Sequence, residues 1–305
     1  MTLIDLIDND YFGNCLYVKR EDLLPFSFGG NKARKARLIF DEIDKLDVDY
    51  VVTYGSSSSN HCRVVANACA IRKMPCMIIS PIEDNKATFN RSLVRILGAE
   101  IRICAVKDVP SVIQETLKGL RSKGFRPYFI EGGGHGNLGT HAYVLCYDEI
   151  FEYETMAGST FNYIFLASGT GTTQAGLICG KILHGSDVDI VGISVARKNP
   201  HGANVIHLSV YEYMEQKGIN EDFHSHVKFI DDYTLGKYGV GNAEIDELIV
   251  RVFRRYGIAL NITYTGKAFW GMEQYLREHS IRDSNVLFIN TGGLPNFFDD
   301  LEARR

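Results

Sequence analysis

The chain alternates between short apolar runs and longer segments in which apolar residues recur every three or four positions. The short runs, of four to six residues, are typical of strands covered on both faces. The longer segments predict amphipathic helices. Because strands and helices alternate, the pattern predicts an α/β fold with mostly parallel sheets. The predicted strands are 16–19, 50–54, 76–80, 100–104, 126–130, 163–167, 190–195 and 285–289.

The helical segments lie between these strands, and residues 197–240 carry few clear signals beyond one of them. No internal repeat or low-complexity linker divides the chain. The predicted helices are 33–46, 61–71, one that ends at 93–97, 111–123, 140 to about 153, 174–183, about 205–216, 244–255 and 267–278.

Lys32 stands at the start of the first of these helices, after two glycines and Asn31, which is a good N-cap residue. At about 100° per residue, Lys32 falls on the helix's apolar face. A helix N-terminus and burial both disfavour a cation, so both lower the pKa of an inward-facing amine. A neutral, buried amine is the kind that reacts with carbonyl groups. The alternative is a lysine that merely extends its charged end to solvent.

The neighbouring basic residues differ in phase from Lys32. Arg34 and Arg37 fall on the far side of the helix, and Lys35 falls at the edge. Such a basic run, followed closely by acidic residues, is usually a solvated helix face.

Composition is that of a globular protein, with 45% hydrophobic and 23% charged residues in 305. A net charge of −4 argues against a nucleic-acid partner. The acidic N-terminus does not resemble a signal peptide, and no apolar run approaches the 18 residues of a membrane span. Seven scattered cysteines without a Cys-x-x-Cys pair predict reduced thiols in a cytoplasmic protein, and no metal site.

A glycine- and threonine-rich segment, 168–173, lies between a buried strand and a helix. Glycines and hydroxyls at a helix start offer backbone amides and side-chain donors to an anion. The segment lacks the lysine of a nucleoside-triphosphate loop, and Gln174 stands where a dinucleotide fingerprint has a small residue. It therefore favours a phosphate monoester over a plain turn.

A reactive lysine and a phosphate-binding loop together indicate pyridoxal phosphate. Such a site also needs partners for the ring oxygen, the ring nitrogen and a substrate carboxylate. The serine-rich segment 56–60 could supply the first and third of these. The hydroxyl-rich segments 264–266 and 290–293 could supply the ring-nitrogen partner. The long glycine cluster at 131–139 could be a simple connector.

At this point nearly the whole chain resembles the tryptophan-synthase-like (fold type II) pyridoxal-phosphate enzymes. Within them it is similar to the group of D-cysteine desulfhydrase and aminocyclopropane-carboxylate deaminase. Each matching block alone is weak, but their order and spacing are specific. The blocks are 18–23, 29–32, 59–61, 168–177, 238–239, 264–268 and 291–293.

The resemblance implies a role for each matching position. Lys32 matches the lysine that forms a Schiff base with the cofactor, and Ser59 lies near the substrate carboxylate. Tyr238 and Tyr264 match two active-site tyrosines. The cofactor-binding set implied by the resemblance comprises Lys32, Asn60, Gly169, Thr170, Gly171, Thr172, Thr173, Thr265 and Thr291. His61 could be a base, but its place in the pattern favours a supporting role.

The resemblance also implies an architecture. Two lobes are expected, a large cofactor-binding lobe of residues 1–44 and 151–305 and a small inserted lobe of residues 45–150. A cleft between them would hold the site, at the carboxyl ends of the strands. A homodimer is expected from the resemblance as well.

Thr265 discriminates within the group, because the deaminase has a glutamate there that faces the ring nitrogen. A neutral hydroxyl does not hold that nitrogen protonated, so the ring is a weaker electron sink. This favours α,β-elimination from a small β-substituted amino acid, with D-cysteine as the best candidate. The alternatives are the deaminase reaction, a β-replacement synthase, and a non-catalytic binder of the cofactor or a metabolite. Retention of Lys32, Tyr238 and Tyr264 argues against the binder.

Several positions depart from the group's pattern. Phe89 precedes Asn90 where the group usually has glycine, and Gly241 replaces a proline. Asn261 replaces an aspartate, and Asn290 replaces a histidine. These departures leave the cofactor set intact and bear on the substrate.

Overall fold

Two sheets, both mostly or wholly parallel, organise the computed structural model, which describes residues 1–236 and 238–303. The predicted α/β class with mostly parallel strands is confirmed. The strands are β1 Ile4–Asp8, β2 Cys15–Lys19, β3 Tyr50–Tyr54, β4 Cys76–Pro81, β5 Glu100–Cys104, β6 Pro127–Ile130, β7 Tyr163–Ser168, β8 Asp189–Ser194, β9 Lys228–Ile230 and β10 Asn285–Ile289.

Helices connect the strands and cover the sheets, as parallel pairing requires. Most of them begin and end within a few residues of the predicted limits. They are α1 Asn31–Ile43, α2 Asn60–Ile71, α3 Phe89–Ile96, α4 Val109–Ser122, α5 Asn137–Ala157, α6 Thr172–Leu183, α7 His201–Glu215, α8 Ala243–Tyr256, α9 Thr265–Glu278 and α10 Leu294–Glu302.

The larger sheet has the strand order β1-β2-β10-β7-β8-β9, and only the β1–β2 pair is antiparallel. Strands β7 and β8 are in register to their last residues, so that Ser168 lies beside Ser194. The loops that follow these two strands therefore leave the same edge of the sheet side by side.

The smaller sheet, in the order β5-β4-β3-β6, takes all four strands from residues 50–130. It shares a hydrophobic cluster with α2 and with the apolar face of α1, including Phe40 and Ile43. Its carboxyl edge faces the loops of the larger sheet across a cleft. The division into lobes at residues 45 and 150 remains a prediction.

Helix α1 differs from its prediction in two ways. Gly30, not Asn31, is the N-cap, and it has the left-handed φ of 93° that favours glycine. A Cβ at Gly30 would also lie 2.6 Å from the Thr291 carbonyl oxygen. In addition, the predicted solvated basic face is wrong for two of its residues, because Lys35 is 1% exposed and the Arg34 side chain is 12% exposed.

Three elements carried no clear sequence signal. Strand β1 is an edge strand paired only with β2, and β9 has three residues at the opposite edge. Helix α10 contains Asp299 and Asp300, which accept backbone N–H groups from Phe89 and Ile262. None of the helices within the described residues is both long and apolar enough to cross a membrane.

Candidate active site

A cleft of about 590 Å³ lies where the carboxyl edges of the two sheets face each other. Its volume is within the usual range for small-molecule and cofactor sites. The smaller sheet contributes the loops after β3 and β6, and the larger sheet those after β7, β8 and β10. The predicted site residues that line it are Lys32, Ser59, Asn60, Gly169, Thr170, Gly171, Thr173, Tyr238, Tyr264 and Thr291.

Lys32 lies in this cleft as its helical phase predicts. Its Nζ donates to the carbonyl oxygen of Gly133 at 3.0 Å. Burial lowers the pKa of the amine to about 8, so a substantial fraction is neutral near physiological pH.

The glycine cluster after β6 is a wall of the site rather than a simple connector. Gly133 has a φ of 76°, and a Cβ there would lie 3.3 Å from Lys32 Nζ and 2.7 Å from a methyl carbon of Thr170. Glycine is required both by the backbone conformation and by this close approach. The requirement shows how tightly Lys32 and the loop after β7 meet at this point.

Lys35 is buried beside the site, a placement that the sequence pattern does not predict. Its Nζ donates to Thr172 Oγ1 at 2.6 Å, beneath the start of α6. Burial and then the charge of Lys32 hold the pKa of Lys35 well below its usual value. The one hint in the sequence was that Lys35 falls at the edge of the apolar face of the helix.

The loop after β7 ends in the N-terminus of α6, which begins at Thr172. The first amides of a helix have no partners within it, and they point toward the space in front. The Asn31 amide donates to Thr173 Oγ1 at 3.1 Å, which ties the loop to α1. Thr172 itself is fully buried under the cleft, so that its side chain does not line the cavity.

The serine-rich turn after β3 precedes α2. Ser59 caps the helix by accepting from the Cys62 N–H at 3.3 Å. Asn60 Oδ1 accepts from Arg63 Nη2 at 3.2 Å and from Asn90 Nδ2 at 3.1 Å. Asn60 lines the cavity, and its amide nitrogen lies 3.3 Å from the position that a Cβ at Gly293 would take.

Arg63, another residue that the sequence analysis did not select, holds this arrangement. It is 1% exposed, and its hydrogen-bond partners are neutral: Asn60, Asn90 and Ser27. Burial lowers the pKa of its guanidinium to about 10, which still leaves the group charged at neutral pH. The cation lies directly behind the Asn60 amide.

His61 is buried in the wall of the cleft. Its Nε2 lies 2.8 Å from Thr53 Oγ1, and that hydroxyl donates its proton to the Ile130 carbonyl oxygen. The ring nitrogen must therefore be the donor to Thr53. Burial, with the charges of Lys32 and Lys35, lowers the pKa of His61 to about 3, so the ring is neutral and supports the wall.

Tyr238 and Tyr264 meet at one end of the cleft. Their hydroxyls are hydrogen-bonded to each other, and the rings pack edge to face with centroids 5.6 Å apart. Burial holds the pKa of Tyr264 well above its usual value and also raises that of Tyr238. Both are protonated phenols, and because one of them donates its proton to the other, a single O–H of the pair remains to donate into the cleft.

Thr265 and Thr291 occupy different environments. Thr265 is fully buried, and its Oγ1 accepts both the backbone N–H and the side-chain amide of Asn261 at 3.0 Å. Thr265 therefore stabilises the turn before α9 and does not line the cavity. Thr291 lines the cavity beside Gly292.

The residues present fit pyridoxal phosphate. Lys32 offers an amine for an aldehyde, and the start of α6 offers amides for a phosphate. Two polar atoms at this edge, Ser168 Oγ and Arg197 Nη1, are buried without a hydrogen-bond partner.

A comparison with known families decides the identity. The family described as "Pyridoxal-phosphate dependent enzyme" matches residues 4–292. The chain belongs to this family. It is therefore a pyridoxal-phosphate-dependent enzyme, and the predicted family and cofactor are confirmed.

Relatives narrow the position of this pyridoxal-phosphate-dependent enzyme within the family. It is 31% identical over 301 residues to the D-cysteine desulfhydrase of Serratia proteamaculans, covering 95% of this chain and 90% of the relative. A crystal structure described as an ACC deaminase homologue has a TM-score of 0.89 and 31% identity, covering 99% of this chain and 93% of that chain.

A more distant structure bears on the fold alone. The processed form of threonine deaminase isoform 2 from Solanum lycopersicum has a TM-score of 0.66 at 20% identity, covering 99% of this chain and 82% of that one. These likenesses confirm the predicted fold type II architecture of the pyridoxal-phosphate-dependent enzyme.

Proposed function

We propose that this enzyme is a lyase that catalyses α,β-elimination from a small β-substituted amino acid. D-cysteine, which would give pyruvate, sulfide and ammonia, is the best candidate. The likeness to D-cysteine desulfhydrases over 95% of the chain supports the reaction class. The observation that carries the choice of elimination is that Thr291, a neutral hydroxyl, lines the cavity, while Thr265 stands at the position where the deaminase has a glutamate.

The cofactor would be held by residues from both sides of the cleft. Lys32 would bind its aldehyde, the start of α6 with residues 169–173 its phosphate, and the Asn60 amide its ring oxygen. Thr291, which lines the cavity, is the better candidate for the ring nitrogen, because the Thr265 hydroxyl is engaged by Asn261. When bound, pyridoxal phosphate withdraws electrons from the α-carbon of an amino acid.

The chain's own groups would then position the substrate and move the protons. The Ser59 turn heads α2, and its amides can bind the substrate carboxylate. Lys32 would serve as the base for the α-proton of the substrate. Its pKa of about 8 lets it take the α-proton as a neutral amine. Tyr238 and Tyr264, both protonated, can hydrogen-bond the departing group.

Elimination is favoured over cyclopropane opening because it asks less of the electron sink. A thiol with a pKa of about 8.5 leaves as a thiolate with little acid assistance. Among the described residues, the cleft wall formed by Thr291 and Gly292 carries no carboxylate that would keep a ring nitrogen protonated. The likeness to an ACC deaminase homologue keeps that reaction as the second candidate.

The decisive experiment is a substrate screen with the purified holoenzyme. D-cysteine, L-cysteine, D-serine and aminocyclopropane-carboxylate are assayed for the keto acid formed and, with the cysteines, for sulfide. D-cysteine is expected to yield pyruvate and sulfide, and aminocyclopropane-carboxylate little ketobutyrate. Ketobutyrate without pyruvate from any β-substituted alanine would instead establish the deaminase reaction.

Lys32→Ala is expected to lower pyruvate formation by at least about 100-fold, the smaller end of what a general base contributes. Lys45→Ala is the matched control, since the Lys45 side chain is 72% exposed on the same segment of chain. Loss of activity in both variants, or in neither, would contradict the role of Lys32.

We also propose that the enzyme is a cytoplasmic homodimer that takes a small amino acid. The dimer rests on the family resemblance, and light scattering of the purified protein tests it. All seven cysteines are free thiols, which supports a reducing compartment. Cell fractionation tests that location.

A further inference from the structure

Arg197 lies in the loop that leaves β8, beside the loop that leaves β7. Ser168 and Ser194 end the two strands in register, and the Val195 N–H continues the pairing by donating to the Ser168 carbonyl oxygen at 3.1 Å. Ser194 Oγ then donates to the Arg197 carbonyl oxygen at 2.6 Å. This turn keeps Arg197 next to Gly169 and the residues that follow it.

Helix α7 closes the other side of this arrangement. Side-chain atoms of Val205 and Ile206 lie within 3.5 Å of the position that a Cβ at Gly171 would take. The β8–α7 connection therefore packs directly on the loop before α6. Arg197, within that connection, lines the same cavity as Gly169, Thr170 and Gly171.

The Arg197 guanidinium has no anionic partner among the residues that the structure describes. Its Nη1 is buried and makes no hydrogen bond, and no ion pair joins it to a carboxylate in residues 1–236 and 238–303. Glu131, which lines the same cleft, is not paired with it either. Burial without a counter-charge lowers the pKa of the guanidinium. Such a group is costly unless a ligand supplies the missing acceptor.

We infer that Arg197 donates hydrogen bonds to the phosphate of bound pyridoxal phosphate and so forms a charged wall of the phosphate site. The planar guanidinium matches the geometry of phosphate oxygens and remains charged at every working pH. The loop 169–173 then supplies neutral amides and hydroxyls, while Arg197 supplies the charge that the loop's own sequence lacks. This inference rests on the proposed placement of the phosphate at that loop, and not on the identity of the substrate.

The test compares pyridoxal phosphate with pyridoxal, which has the same aldehyde and ring but no phosphate. The dissociation constants of both are measured by equilibrium dialysis with apo-protein of the wild type, Arg197→Gln and Arg197→Lys. Arg197→Gln is expected to raise the dissociation constant of pyridoxal phosphate by about 10- to 100-fold, the effect of losing one charge-assisted hydrogen bond. The dissociation constant of pyridoxal should change by less than about 2-fold. For pyridoxal phosphate, Arg197→Lys should give a value between those of the wild type and Arg197→Gln.

Lys198→Gln is the matched control. Lys198 is the next residue, is exposed, and donates to the Asp231 carbonyl oxygen at 2.8 Å. The Lys198→Gln variant should bind both compounds as the wild type does. Thermal unfolding of each apo-protein verifies that the variants fold. If Arg197→Gln weakens both compounds equally, or neither, the inference is overturned.

A loop variant separates this inference from the placement on which it rests. Thr170→Ala removes a hydroxyl from the cavity wall at the loop. If Thr170→Ala lowers the preference for pyridoxal phosphate over pyridoxal and Arg197→Gln does not, only the role of Arg197 fails. If neither variant alters the preference, the phosphate placement itself fails. An Arg197→Gln enzyme with altered KM for an anionic amino acid but unchanged cofactor affinity would assign Arg197 to substrate instead.

Discussion

At the scale of single residues, the site is built by placing cationic side chains in or behind the wall of the cleft. Lys32, Lys35 and Arg63 all lie in or behind the cleft wall, and burial lowers the pKa of each. Among the described residues, their hydrogen-bond acceptors are carbonyl, hydroxyl or amide oxygens rather than carboxylates. The result is a cleft suited to an anionic cofactor and to a neutral, nucleophilic amine.

The lowered pKa of Lys32 predicts how cofactor binding responds to pH. Only the neutral amine attacks an aldehyde, so the binding rate should rise with pH and level off above about 8, where Lys32 has lost its proton. Stopped-flow mixing of apo-enzyme with pyridoxal phosphate measures this rate. Nα-acetyl-lysine, with an ordinary amine pKa near 10.4, is the reference. A midpoint for the enzyme near that of the reference would contradict the burial argument.

The two threonines near the predicted ring nitrogen should separate in their effects. Thr265→Val removes the acceptor for two Asn261 donors, both buried, and is expected to lower the free energy of unfolding by about 1–3 kcal/mol. Thr291→Val should leave stability close to that of the wild type and should change the visible spectrum of the holoenzyme. Urea unfolding and absorption spectra measure the two effects. The opposite assignment would return the ring contact to Thr265.

At the scale of elements, helix α1 is held in place by a network that also carries Lys32. Arg34 pairs with the buried Glu21 at 2.6 Å and with Glu149 of α5 at 2.9 Å. Lys19 of β2 pairs with the same Glu149 at 2.7 Å. The network joins a strand of the larger sheet to α1 and α5, so the start of α1 is fixed relative to β2 and α5.

The lowered pKa of Glu149 predicts that the stability of the fold depends on pH. Burial alone would raise its pKa, but hydrogen bonds and charge from Arg34 and Lys19 outweigh burial and lower the pKa to about 2. Its unfolded value is about 4.3. The folded state is thus stabilised above pH 4.3, and this contribution is lost as the pH falls from there toward 2.

Glu149→Gln should therefore lower the free energy of unfolding at pH 7 by about 1–3 kcal/mol, with a smaller difference at pH 3. Denaturant unfolding at both pH values measures it. Glu115→Gln, which removes an exposed partner of Arg102, is the control and should stay within about 0.5 kcal/mol at both. A difference that is constant with pH would mean that the network contributes shape rather than charge.

At the scale of the whole molecule, the active site exists only where the two sheets meet. The loop after β6 of the smaller sheet touches both Lys32 of α1 and Thr170 of the larger sheet, and Gly133 is the point of closest approach. Neither sheet alone encloses the cavity. Cofactor affinity should accordingly depend on the fit between the sheets as much as on any single contact.

Gly133→Ala tests this fit. The new methyl would lie 2.7 Å from Thr170 and 3.3 Å from Lys32 Nζ, so it should raise the dissociation constant for pyridoxal phosphate at least about 10-fold, or roughly 1.4 kcal/mol. Gly124→Ala is the matched control, because Gly124 also has a left-handed φ, of 89°, but no atom within 4 Å of the added Cβ. The left-handed φ should cost each variant about 1–2 kcal/mol of stability, and the clash with Thr170 should cost Gly133→Ala more. Equal cofactor affinity in the two would contradict the close approach.

The sequence by itself determined the α/β class, most strand and helix positions, the family and the placement of Lys32 in the cleft. Apolar periodicity reports which face of an element is buried, and for Lys32 the phase on α1 was enough. Weak elements at the edges, β1 and β9, escaped because short strands with few neighbours need little apolar character.

Only the tertiary structure decided which polar residues share the cleft. Arg34 and Lys35 belong to the basic run of α1, which the sequence pattern predicts to be solvated. In the structure α5 and the start of α6 cover them. Arg197 and Gly133 follow strands distant in sequence, and the in-register ends of β7 and β8 and the facing sheet bring them together. Thr265 and Thr291 are the same residue type, but Thr265 accepts hydrogen bonds from Asn261 and does not line the cavity. Periodicity encodes burial along one element, whereas partners supplied by other elements are set by packing alone.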